Sequence, residues 1–270
     1  MRRSIRRANP SVAGLAQARR FLTDFQVALS RRVAPWEWGT AYLHPGLPRV
    51  WDLNLLTIET AAGDVLDYVA AIDDILGPLG CEHRRFWVSD EALGHELAPA
   101  FERLGWDVDR HVIMALTGEP DRRVDTSIVR DVGRFAWRAR EKQLRRYPWC
   151  DDDELVVEMK ALYDSILTVL HARDLAVIED GEPVSFALVY SDGTTAQIED
   201  VGTLEEFRGR GLSRAIVQRA VDIVRESHEL IFLVADDNDW PKDFYAKMGF
   251  EALGVEYFFL KTPERFATRT

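Results

Sequence analysis

Two Asp-Gly dipeptides, Asp180-Gly181 and Asp192-Gly193, separate three strand-like runs, LAVIE, VSFALVY and TAQIEDV. Both central residues of a type I′ turn take positive φ, so Asp-Gly between alternating apolar runs is a strong local hairpin signal. The spacing predicts a three-stranded antiparallel meander, and the next element must continue from the end of its third strand.

The meander runs into EEFRGRGLSRAIVQRAVDIV, residues 205–224. Leu212, Ala215, Ile216, Ala220, Ile223 and Val224 recur at helical spacing, while Arg214, Gln218, Asp222 and Arg225 fall largely elsewhere. A helix starting near Leu212 leaves its first N–H groups without intrahelical partners, and its dipole puts partial positive charge there. Gly209 and Gly211 let an anion approach the backbone, and Arg208 and Arg210 add full charges, which together make a pyrophosphate cradle. A glycine turn decorated with surface arginines is the plain alternative. A dinucleotide fingerprint is the sharper rival, since Asp236 and Asp237 end the next strand where a ribose-binding acid would sit. No third glycine occurs at the required place, and the preceding strands are hairpin-linked rather than crossover-linked.

The rest of the chain reads as mixed α/β. An amphipathic stretch at 12–32 precedes strand-like runs GTAYLH and WDLNLLTIE, a helix from Asp64 to Leu76, a strand HRRFWVS, a helix from Glu91 to Leu104 and a strand HVIMAL. Polar, aperiodic TGEPDRRVDT at 117–126 is the linker candidate. Helical patterns at Phe135 to Leu144 and Asp153 to Leu170 lead into the meander. After the phosphate turn come a strand LIFLVA, a short helix at 239–247, Gly249 as its C-cap, and a strand VEYFFLK. The halves echo each other, because FWVSDEALGHELAPAFERLGWDVDRHVIMAL and IFLVADDNDWPKDFYAKMGFEALGVEYFFL share one strand, helix, Gly-aromatic, strand order.

Composition narrows the function classes. A hydrophobic fraction of 47% and a charged fraction of 29% fit a soluble globular protein, and a net charge of -11 speaks against nucleic acid or an anionic membrane as partner. Cys81 and Cys150 are far apart and lack metal-ligand spacing, so no metal site or disulfide framework is expected. The start MRRSIRRA is basic but no unbroken apolar run comes after it, so a cytoplasmic location is expected.

These residues resemble the GNAT acetyl-CoA-dependent N-acetyltransferases. The family's Arg/Gln-x-x-Gly-x-Gly/Ala motif is met by Arg208, Gly211 and Ser213, with serine as a departure, and its asparagine, tyrosine, Gly-Phe signature by Asn238, Tyr245, Gly249 and Phe250. The first half lacks a phosphate motif after WDLNLLTIE, and Phe101 stands where the echo would place Tyr245. The resemblance implies an α/β protein of two GNAT-like units, each a mostly antiparallel mixed sheet flanked by helices. Residues 1–122 form a degenerate copy and 123–270 the acetyl-CoA-binding one.

The resemblance further implies transfer of an acetyl group from acetyl-CoA to a primary amine. Backbone N–H groups at Val201 to Thr203 polarise the thioester, and the cofactor-binding set is Val201, Thr203, Arg208, Gly209, Arg210, Gly211, Leu212, Ser213, Asn238 and Tyr245. Tyr245 supplies a proton to the departing thiolate, and Glu199 takes one from the amine, each against a structural alternative: an interface tyrosine and a solvated strand glutamate. Asn238 also suits a helix cap, and His171 and His228 sit at helix ends. Trp36, Trp38, Trp51, Trp137 and Trp149 belong to the core or line an acceptor pocket. The acceptor is a small-molecule or peptide amine, a homodimer is left open, and a non-catalytic acyl-CoA-binding or scaffold protein is the alternative.

Overall fold

A computed structural model describes residues 10–150 and 152–263. The basic segment at the N-terminus lies outside them. A helix α1 (Pro10–Leu29) precedes a hairpin of β1 (Arg32–Trp36) and β2 (Gly39–Leu43), then β3 (Leu55–Thr57), α2 (Val65–Leu76), β4 (Arg84–Val88), α3 (Glu91–Arg103) and β5 (Asp107–Leu116). The second half runs β6 (Val129–Asp131), α4 (Trp137–Leu144), α5 (Asp153–Val169), β7 (Arg173–Glu179), β8 (Glu182–Ser191), β9 (Thr195–Thr203), α6 (Leu212–Val224), β10 (Leu230–Asp236), α7 (Pro241–Ala246) and β11 (Phe250–Lys261).

Among the described residues all eleven strands join one mixed sheet in the order β1-β2-β3-β4-β11-β5-β10-β9-β8-β7-β6. The last strands of the two halves are exchanged. β5 lies antiparallel on β10, from Phe232↔Ala115 to Asp236↔His111, and β11 lies antiparallel on β4, from Tyr257↔Val88 to Lys261↔Arg84. At the centre β5 and β11 pair with each other from Phe250↔Leu116 to Leu260↔Asp107. The echoing segments are therefore related by an approximate two-fold through this central ladder, and each half completes the other's sheet.

The meander forms as the Asp-Gly turns require, with one refinement. Asp180 and Gly181 both have positive φ, 49° and 79°. At the second turn only Gly193 does, at 92°, and Asp192 instead closes the loop by accepting from Thr194 N and Thr195 N. Two strands carry little sequence signal: β1, which takes up the end of the amphipathic stretch, and three-residue β6. In the run WDLNLLTIE, Trp51–Leu53 is a 3-10 turn and only Leu55–Thr57 is strand.

The linker candidate lies against the polar side of α6. Arg214 Nη1 donates to Asp121 at 2.5 Å, Gln218 Nε2 to Arg122 O at 2.7 Å, and Val124 N to Gln218 Oε1 at 3.0 Å. Arg214 and Gln218 are consequently buried, although the helical pattern puts them off the apolar stripe.

Candidate functional site

The parallel strands β9 and β10 pair only over Leu230↔Thr195, Ile231↔Ala196 and Phe232↔Gln197, and then separate. The separation begins beside a bulge, since Phe186↔Gly202 and Leu188↔Glu199 leave two β9 residues, Asp200 and Val201, opposite one on β8. Asp200 takes φ 53°, a conformation uncommon outside glycine, asparagine and aspartate. Leu204 N donates to Val184 O on the β8 side at 2.9 Å, so strand alternation turns the N–H of Thr203 away from β8.

Alternation also divides the side chains between two faces. Ala196 and Ile198 of β9 and Ile231 and Leu233 of β10 pack in the α6 cluster together with Tyr245. Gln197 and Glu199 of β9 and Val234 of β10 line a cavity on the opposite face. The split between the strands therefore lies between the α6 cluster and that cavity.

On the α6 side, Gly209 and Gly211 have φ 75° and 79°, and a Cβ at either would meet nothing within 4 Å. The space over the first turn of α6 is open, and only glycine adopts both backbone conformations without strain. Leu212 is buried beneath this turn. Arg208 Nε donates to Thr203 O at 3.2 Å. Arg210 forms a two-pronged pair with Glu179, at 2.9 and 2.7 Å, so its charge is partly committed there. Ser213 Oγ lies 2.7 Å from Thr203 Oγ1, which is 2.7 Å from Ser185 Oγ, so the serine ties the helix start to the end of β9.

Tyr245 is 9% exposed, and its hydroxyl makes no hydrogen bond among the described residues. Burial, and after it the charges of Glu199 and Asp200, raises its pKa well above the ordinary phenol value. The phenol thus stays protonated and lies within electrostatic reach of Glu199. Burial likewise pushes Glu199 up to about 7, and Gln197 Nε2 donates to its Oε2 at 2.6 Å. Asn238 does not cap α7: the cap position is Trp240, without a side-chain bond, and Asn238 is an exposed residue whose N–H donates to Asp236. The chain turns there on aspartates, with Asp239 accepting from Trp240 N, which leaves the asparagine side chain outside the cap.

The tryptophans divide. Trp36 and Trp38 pack edge-on with each other and around Tyr68 in the first half. Trp137 and Trp149 line the cavity, and Trp51 stacks obliquely on Trp149 at 5.6 Å. The sequence reading passes over Trp87, Glu256 and Arg140, which also line the cavity. Only the exchange of β11 brings Glu256 there, so no local pattern signals it. Trp87 Nε1 donates to Glu256 at 3.0 Å and Arg19 at 3.3 Å, and burial raises this glutamate to about 7.

The equivalent place in the first half is closed. Beyond Thr57↔Trp87 the pairing of β3 and β4 continues, with Ile58 N donating to Trp87 O at 3.0 Å. The first turn of α2 is occupied by its own carboxylates, because Asp64 accepts from Leu66 N and Asp67 accepts from Asp64 N. Negative charge already sits where a phosphate would have to bind. Phe101 is fully buried, stacked on Phe259 at 4.2 Å.

Residues 133–250 match the acetyltransferase (GNAT) family. The second half of this chain carries a GNAT domain. The chain is similar in fold to a functionally unknown conserved protein from Staphylococcus epidermidis (TM-score 0.66, 18% identity, 86% of this chain and 94% of that one). It is similar to a GCN5-related N-acetyltransferase from Kribbella flavida (TM-score 0.59, 18% identity, 92% and 96%). A tandem GNAT protein from the clavulanic acid biosynthesis pathway also matches (TM-score 0.51, 12% identity, 76% and 73%). At these identities the likeness is one of fold, and it extends over both halves of the chain. Acetyl-CoA is the cosubstrate of this fold. Among the described residues no helix is long and apolar enough to cross a membrane.

Proposed function

We propose that this protein transfers the acetyl group of acetyl-CoA directly to a primary amine, at the split between β9 and β10. The observation that carries the reading is the pairing of two complementary groups across that split: Glu199, raised to about 7 on the cavity face, and the unpartnered, protonated Tyr245 phenol on the α6 face. A carboxyl near 7 accepts a proton at neutral pH more effectively than an ordinary one, and a phenol donates to a thiolate.

Residues 208–213 hold the pyrophosphate, with backbone N–H groups of the first α6 turn and Arg208 as donors. Val201 and Thr203 N–H polarise the thioester carbonyl, in the manner of an oxyanion hole. Glu199 takes one proton from the ammonium. The freed amine attacks the carbonyl, a C–N bond forms and the C–S bond breaks. The thiolate takes the Tyr245 proton, and the second proton lost by nitrogen restores the phenol. One ammonium and one thioester thus yield one amide, one thiol and one proton released to solvent.

The same reading makes 123–270 the acetyl-CoA-binding unit and 1–122 a degenerate copy, supported by the closed β3–β4 pair and the capped start of α2. Single-turnover mass spectrometry tests it. Acetyl-CoA and an amine panel are expected to give stoichiometric acetamide and free thiol, with no acetylated protein intermediate. CoA binding without turnover of any amine would instead favour an acyl-CoA-binding protein.

A further inference from the structure

The cavity beyond Glu199 is larger and more apolar than an ammonium group requires. It has a volume of about 490 Å³, and its aromatic lining comes from both halves, Phe25 and Trp87 from the first and Trp137, Tyr147, Trp149 and Phe258 from the second. Two ring pairs in this lining are near parallel, Trp87 with Phe258 at 8° and Tyr147 with Trp149 at 9°, and Arg85 lies over the Phe258 ring at 4.7 Å. Flat aromatic walls take rings and apolar bodies, and leave hydroxyl groups without partners.

Beside the strand split the lining turns polar. Gln197 is 4% exposed, and its Oε1 has no hydrogen-bond partner although its Nε2 is spent on Glu199. Glu199 makes no ion pair among the described residues. Five carboxylates in the lining, Asp52, Glu199, Asp200, Asp236 and Glu256, face two guanidiniums, Arg85 and Arg140. Asp52 is engaged by Arg85, Asp200 by Arg140 and Glu256 by Arg19; of the two without a cationic partner, Asp236 is exposed and accepts from Asn238 N, whereas Glu199 sits beside the unpartnered Gln197 Oε1, the place for an incoming cation.

We propose that the acceptor is an amphiphilic amine, a single ammonium on an aryl or similarly bulky apolar body, with the ammonium held by Gln197 Oε1 and Glu199 and the body lying between the Trp87–Phe258 and Trp137–Trp149 walls. The transfer step rests on the function proposed above, whereas binding rests on the cavity alone. A polyhydroxylated amine would strand its hydroxyls against the rings. A long acyl chain on CoA would fill the volume but leave Gln197 Oε1 unpartnered.

Calorimetric titration of the full chain, saturated with CoA, separates these cases. 2-Phenylethylamine is expected to bind one site per chain at least about tenfold more tightly than spermidine or kanamycin, the order of discrimination an apolar pocket provides. Trp149→Ala, in the loop before α5, is expected to weaken it about tenfold while CoA affinity holds, Trp149→Phe to restore most of it, and Glu199→Gln to weaken it as well. Spermidine or kanamycin binding as tightly, or no binding by any of the three, overturns the proposal. So does octanoyl-CoA binding far more tightly than acetyl-CoA with the gain lost in Trp149→Ala, which would assign the cavity to the acyl chain. If 2-phenylethylamine binds as expected and no acetamide forms, the acceptor class stands and the transfer reading fails.

Discussion

The guanidinium of Arg140 on α4 donates to the carboxylate of Asp200, the left-handed residue at the β9 bulge. Its Nη1 also donates to the fully buried Asp174 at 2.9 Å, and its plane lies 4.4 Å from the Phe186 ring centre. This contact holds the bulge where β9 leaves β10, and so fixes the carboxyl of Glu199 and the N–H groups of Val201 and Thr203. Arg140→Ala would leave Asp174 in the interior with the Tyr163 hydroxyl but no cation, and a broken buried pair costs about 3–5 kcal/mol. Urea unfolding should show that loss, while Arg138→Ala, whose partner Glu182 is reached at the surface, should change stability by about 0.5 kcal/mol or less.

Glu199 is expected to lower stability for the sake of its chemistry. Its folded pKa of about 7 lies above the ordinary 4.5, so the folded state binds its proton more tightly and stability falls as pH rises through that window. Glu199→Gln removes this loss. Thermal melts should show the variant gaining on the parent between pH 4.5 and 7 and staying ahead above pH 7. A difference independent of pH would place the carboxyl in an ordinary, solvated environment.

Tyr245→Phe deletes a hydroxyl without a hydrogen bond among the described residues and keeps the ring that packs near Phe250 at 6.2 Å. Stability and CoA affinity should therefore hold. Turnover should fall by about 10² to 10⁴, the usual contribution of a general acid. Steady-state kinetics on an accepted amine checks this, and an increase in the acetyl-CoA Michaelis constant alone would indicate uniform binding instead.

A chain beginning at Asp125 would lack β5, the strand that covers the edge of β10 and one side of β11. Two apolar edges would be exposed, a known route to association. Size-exclusion chromatography should find such a chain aggregated or insoluble. A monomer with full activity would show that the exchanged strand is dispensable.

Much of this was legible in the sequence because it rests on short-range chemistry. Asp180-Gly181 marks a turn through the φ values it permits, and Gly209 and Gly211 mark an open helix start in the same way. That Glu199 shares a face with Gln197 was readable from strand alternation once TAQIEDV is taken as a strand, but alternation also put Val201 and Thr203 on that face, and the bulge turns both toward α6. The exchange of β5 and β11 was not readable, since HVIMAL and VEYFFL suit either neighbour equally and partner choice is settled only when both halves are folded. Glu256, Trp87 and Arg140 reach the cavity by that long-range arrangement. Arg214 and Gln218 look like surface residues from helical spacing, yet the polar linker at 117–126 covers them. Asn238 misleads as a helix cap because the neighbouring aspartates take over the turn.

The most direct test of Glu199 as the base is the pH dependence of kcat for the parent and Glu199→Gln, measured with saturating acetyl-CoA and the best amine of a panel of arylalkylamines, polyamines, aminoglycosides and amino acids. At saturation kcat reports groups within the ternary complex. The parent rate should rise with unit slope and level off as Glu199 loses its proton, at or below the pH of about 7 set by burial in the unliganded chain, because a bound ammonium favours the carboxylate. The variant should lose about 10² to 10⁴ in rate at neutral pH and show no inflection near 7. A variant that keeps both the parent's rate and the parent's profile would contradict the assignment of Glu199 as the base.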